Sequence, residues 1–241
     1  MLDALQTYRD NGGRFCYLGG NGFYWKIATS PEQDGVIEIR RGEGGIRAWA
    51  ADPGEYYNQF DGEYGGLWRR NGRAPQHLTG VGFTAQGNFH SSYYRRTTEA
   101  DNPRASWMFA GVDAEIIGNH GLSAHGAAGF ELDRADKRLG TPAHALVVAS
   151  SEDHPADAPW ILVPEEVLTH LATWPGEAPE DLIRADMTFF ETPNGGAVFS
   201  TGSITFCGSL LTNQGDNETS RLVRNVIERF VDPTPFEMPA A

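Results

Sequence analysis

Residues 185–210, ADMTFFETPNGGAVFSTGSITFCGSL, constrain the fold more than any other stretch of this 241-residue chain. Two apolar, β-rich runs flank Pro-Asn-Gly-Gly, a sequence that supplies the positive φ angles of a tight connection, so the segment predicts strand, turn, strand. Asp216 or Asn217 then caps a helix whose Leu222, Val223, Val226, Ile227 and Phe230 share one face.

Upstream, Leu2, Leu5 and Tyr8 recur at helical spacing and Gly12-Gly13 supplies a stop. The run RFCYL follows as a strand and ends in the turn GGNG (19–22). FYWKIA and VIEIRR add two β segments around the polar turn SPEQDG. From about 42 to 105 the chain is rich in Gly, Asn, Tyr and Arg without helical periodicity, and reads as loops and short elements, where sites tend to be built. HALVVASS reads as a buried strand. WILVPEEVLTHLATW (160–174) reads as a helix with Pro164 in its first turn or before it. The opening helix has Asp3 but no proper N-cap, and no strand precedes it, which suggests that the beginning of the fold lies outside this chain.

Composition narrows the function classes. The formal net charge of −13 repels phosphate backbones and anionic membrane surfaces, and the Arg-Arg doublets at 40, 69 and 95 form no stripe, so nucleic acid is not an expected partner. No stretch approaches the ~20 apolar residues of a membrane span, and the N-terminus lacks signal-peptide character, so a cytoplasmic location is expected. Cys16 and Cys207, in apolar strand-like runs, read as buried free thiols.

The usual catalytic signatures, HExxH, GxSxG, the P-loop and GxGxxG, are absent. His120 and His125, five apart, suit loop hydrogen bonds or a metal bridged across a loop better than a shared helical face. Asn21 stands where a hydrolase elbow would carry its nucleophile. A carboxamide cannot attack a carbonyl, but Asn tolerates the left-handed turn and can hold a carbonyl oxygen or an attacking water; the bland alternative is a tight turn alone. Glu131, in HGAAGFELDRAD, follows small residues that admit substrate and a phenylalanine that can desolvate it toward acid/base use. The alternative there is an ion pair with Arg134 or Lys137.

Four segments, YLGGNGFYW (17–25), GGLWRRNGRAPQHLTGVGFTAQG (65–87), GAAGFELDRADKRLGTP (126–142) and 185–210, resemble in order the C-terminal part of the N,N-dimethylformamidase large (beta) subunit family. The resemblance spans essentially the whole chain, which it implies is a single domain over residues 1–241. The implied fold is α/β, a glutamine-amidotransferase-like three-layer sheet with elaborated loops that lacks its first strands. The implied activity is iron-dependent hydrolysis of small N-substituted formamides to formate and an amine.

In that family two tyrosines and a glutamate hold the iron, a Lewis acid that polarises the formyl oxygen or activates water. The glutamate lies in a His-Asp-Glu-Tyr-Trp-like segment just before the opening helix here, and the tyrosines lie further upstream; Tyr17 and Tyr24 do not match them. The resemblance carries over two site residues, Asn21 and Glu131. It implies an isolated chain without formamidase activity, which is a homo-oligomer or pairs with a partner chain bearing the upstream segment, or else is a truncated product or a fragment of a longer reading frame. The rival reading is a non-catalytic domain, either kept for assembly or stacking a sugar-like ligand on Tyr56, Tyr57, Trp68, Tyr93 and Tyr94.

Overall fold

The computed structural model describes residues 1–42, 44–46, 48–154, 161–173 and 176–240. In chain order α1 (Leu2–Asp10) leads to β1 (Arg14–Tyr17), β2 (Ile27–Thr29) and β3 (Ile37–Ile39), then α2 (Gln76–Thr79) and β4 (Gly82–Arg96). β5 (Ile116–Ile117), β6 (Ala128–Arg134), β7 (Leu146–Glu152) and β8 (Ile161–Leu162) precede α3 (Pro164–Glu166), which continues as a π-helix over Val167–Thr173. α4 (Pro179–Leu182), β9 (Asp186–Thr192), β10 (Gly196–Ser200) and α5 (Glu218–Val231) complete the order.

The α/β expectation holds, with one large sheet ordered β1-β10-β9-β7-β4-β5, β6 and β8 pairing on β4, and a separate β2-β3 ribbon. Its pairing is mostly antiparallel. β1 is terminal in the order, and its pairing with β10 is the one parallel pairing among the described strands; the others are antiparallel. Four half-buried residues lack the apolar run, covered on both faces, that a central parallel strand needs.

The predicted hairpin forms as β9-turn-β10, with Asn194 (φ 62°) and Gly195 (φ 81°) at the connection. β9 is buried throughout because its alternating side chains meet two different layers. Met187 and Phe189 enter the main core with Phe199, Phe206, Leu222 and Val226 of α5. Phe190 packs on the other face with Val198 and Phe15, against the end of α2. α5 begins as expected: the Asn217 side chain accepts from Ser220 N at 2.8 Å, and Leu222, Val223 and Val226 are buried.

Three expectations need correction. The region read as loops contains β4, the longest strand, whose Gly, Asn and Ser residues and two register shifts against β6 break the alternation that would have announced it. In the 160–174 segment, residues 161–162 pair with β4 as β8 and the helix begins at Pro164; Trp160 and Trp174 lie outside the described residues. Cys207 is exposed rather than buried, on a 3-10 turn (Phe206–Ser209) rather than a strand; Cys16 is half-buried, and both thiols are free.

Candidate active site

The GGNG turn leaves the end of β1 and meets β6. Asn21 takes the left-handed conformation, φ 59°, which Asn tolerates better than other side chains. The flanking glycines permit close approach: a Cβ on Gly20 would lie 2.9 Å from the Glu131 carbonyl oxygen, and one on Gly22 2.6 Å from the Tyr17 hydroxyl.

From the other side, β6 delivers its acid through a strained residue. Phe130 has φ 60°, an outlier for a bulky side chain that costs about 1–3 kcal/mol and persists only where its surroundings enforce it. Ser203 enforces it by hydrogen bonding both the N–H and the carbonyl of the preceding Gly129, at 2.9 and 3.0 Å.

The two residues singled out in the sequence, 110 positions apart, meet here. Asn21 Nδ2 donates to Glu131 Oε1 at 3.0 Å, and Asn21 Oδ1 is buried without a hydrogen-bond partner. Burial raises the proton affinity of Glu131, an effect the Asn21 hydrogen bond partly offsets. Arg134 turns away from Glu131 to Asp136 and Glu166, at 2.9 and 2.6 Å. An acid so held can carry a proton, and an unpaired buried carbonyl beside it can accept from a water.

Asp133, which sequence reasoning missed, lies two residues beyond Glu131 on the same face of β6. It is fully buried and accepts from Asn21 N at 2.8 Å and from the Tyr17 hydroxyl at 2.9 Å. Desolvation lifts its pKa from the ordinary 3.8 to about 7, despite these hydrogen bonds, with the nearby Glu131 charge adding to the rise. Burial beside Asp133 likewise holds the Tyr17 phenol well above the ordinary tyrosine range. The alternation in FELD was the available signal, because i and i+2 of a strand share a face. A cleft of about 260 Å³, lined by Leu2, Arg9, Phe23, Arg73 and His77 among others, sits on the α1 side of the turn; neither Asn21 nor Glu131 lines it.

The residues here do not fit an iron centre of their own. Glu131 is engaged by Asn21, and Tyr17 by Asp133 and Gly22. Among the described residues, the one group of three potential His, Cys, Asp or Glu ligands is Asp136, Glu166 and His170. The Arg134 guanidinium already fills it, hydrogen bonding to all three. His120 pairs with Glu218 at 2.9 Å and His125 belongs to no such group.

Three of the five aromatic residues named in the rival reading have partners of their own. Tyr94 is a core residue whose hydroxyl donates to Thr201 O, Trp68 lies between Lys26 and Arg73, and Tyr57 packs edge-on to Tyr64. Among the described residues no helix is long and apolar enough to cross a membrane.

Comparison with known proteins agrees with the resemblance in the sequence. A family model described as N,N-dimethylformamidase beta subunit-like, C-terminal, matches residues 1–218. The N,N-dimethylformamidase beta subunit of Paracoccus aminophilus is 42% identical over 235 residues, covering 97% of this chain and 30% of that protein. The corresponding subunit from Alcaligenes sp is 40% identical over 235 residues with the same coverage, 97% and 30%. The chain thus spans about 30% of the length of these relatives. With a family model over residues 1–218 and two such relatives, the chain belongs to the N,N-dimethylformamidase beta subunit-like C-terminal family.

Proposed function

We propose that this chain is the Asn21/Glu131 portion of an iron-dependent amidohydrolase that cleaves small N-substituted formamides, with the iron ligands supplied from outside the chain. The observation that carries this reading is the hydrogen bond from Asn21 Nδ2 to Glu131 Oε1, at 3.0 Å, beside a buried and unpaired Asn21 Oδ1.

The chemistry assigned to these residues is positioning and proton transfer. Asn21 Oδ1 accepts a hydrogen bond from the attacking water and orients its lone pair toward the formyl carbon. Glu131, with its proton affinity raised by burial, takes the proton that water loses and returns it to the departing amine nitrogen, without which the C–N bond does not break. The formyl carbon gains the water oxygen with its second proton and leaves as formic acid, which gives that proton to solvent to become formate; the amine leaves with the transferred proton, and the carboxylate is regenerated. The segment that lies upstream in the relatives, carried on this polypeptide or on a partner chain, completes the site in this reading.

The test is to express the chain alone and together with the coding region immediately upstream. Iron is measured by elemental analysis and amine release from dimethylformamide is assayed on both samples. Iron and activity in the co-expressed sample alone are expected. In that sample Glu131→Gln should lower kcat by about 10²–10⁴-fold, the usual contribution of a general acid/base. Iron bound stoichiometrically by the chain alone, or a Glu131→Gln enzyme with full activity, would overturn the reading.

A further inference from the structure

The backbone of the Asn21 turn is held by two side chains that no hydrolytic step uses. Asp133 Oδ1 accepts the Asn21 N–H at 2.8 Å, and the Tyr17 hydroxyl accepts the Gly22 N–H at 2.6 Å while donating to Asp133 Oδ2 at 2.9 Å. Two consecutive amides of a left-handed turn thus end on one acid–phenol pair, which ties the end of β1 to β6.

The pair is directional. Asn21 is gripped at its backbone by Asp133 and grips Glu131 with its own carboxamide, while Glu131 and Asp133 stand two apart on one strand. The turn therefore cannot rotate without lengthening one of the two hydrogen bonds. Glu131 from β6 is the charge that bears on Asp133, Tyr17 from β1 hydrogen bonds to it, and Tyr94 from β4 feels the Asp133 charge in turn, whereas the neighbouring Arg134 is committed to Asp136 and Glu166.

We propose that Tyr17 and Asp133 are positioning residues of this site, fixing the Asn21 carboxamide against Glu131 so that Oδ1 stays free for water. The activity readout of this inference rests on the function proposed above; its structural readout does not.

The first measurement is amide hydrogen exchange on the wild-type chain. Asn21 and Gly22 lie in a glycine-rich turn outside any strand, yet each should be protected about tenfold or more relative to free peptide, as a buried hydrogen bond requires. Tyr17→Phe should cost Gly22 most of that protection and Asp133→Asn should loosen Asn21. In the co-expressed enzyme both should lower kcat by about tenfold to a hundredfold with KM within about twofold, since a misplaced group costs rate rather than binding. A purely structural role would lower the melting temperature and leave kcat of the folded enzyme intact.

Unprotected wild-type amides would overturn the proposal without any variant, should Asp133→Asn fail to fold. Tyr17→Phe enzyme with unchanged kcat would overturn it as well. Absence of hydrolysis in the wild-type co-expressed sample would instead overturn the proposed function, and exchange alone would then decide the positioning role.

Discussion

Replacing Asp133 by Asn should change how stability varies with pH. Asp133 has a pKa raised from 3.8 to about 7, roughly 3 units at ~1.4 kcal/mol each, or about 4 kcal/mol. Between about pH 4 and pH 7 the unfolded chain has released this proton while the folded protein keeps it, so this group weakens folding as pH rises and contributes no further change above 7. Glu131, also raised, acts in the same sense.

His154 acts in the opposite sense. Burial lowers its pKa from 6.5 to about 4, so over much the same window the unfolded chain binds a proton that the folded protein refuses, and stability climbs with pH by up to about 3 kcal/mol. The two nearly cancel in the wild type. Urea unfolding at half-unit steps from pH 4 to 8 should therefore give a shallow wild-type profile. The Asp133→Asn profile, with that carboxyl permanently neutral, should rise from pH 4 to 6.5 by up to about 3 kcal/mol as the histidine is unmasked, less the part that the raised Glu131 takes back. The difference between the two curves should change by about 4 kcal/mol across the window. Curves that stay parallel within about 1 kcal/mol would refute the reasoning, because Asp133 would then titrate alike in folded and unfolded states.

Two further outcomes are expected. Arg134→Met strands Asp136 and Glu166 as buried carboxylates with weaker compensation and should destabilise by about 3–5 kcal/mol in urea unfolding, with a clear part regained on adding Glu166→Gln. Asn217→Ala removes the acceptor of Ser220 N and should cost about 1 kcal/mol, read as a lower thermal midpoint and faster amide exchange in the first turn of α5.

The elements legible in the sequence were those whose stability is local. The β9-β10 connection declares itself through Asn194 and Gly195, and α5 through Asn217 and its apolar face, because turn and cap chemistry is written in adjacent residues. β4 was not legible: it is held by partners on both sides rather than by its own pattern, and polar residues sit inside it. For the site, Asn21 and Glu131 were legible as types and through resemblance, but their contact was not, since it joins residues 110 apart. Asp133 was hidden for the same reason: its partners Tyr17 and Asn21 belong to a distant strand and turn, and only burial makes the acid unusual.

The single strand β6 presents both Glu131 and Asp133, with a strained Phe130 before them and the buried Arg134 after. The two acids are geared together. Any one-residue insertion or deletion between Ala128 and Glu131 would turn both to the opposite side of the strand at once, losing the proposed proton carrier and the anchor of the turn in one event. A site built this way has few intermediate forms: substitution at a single acid can tune it, but a slip in the strand deletes it whole.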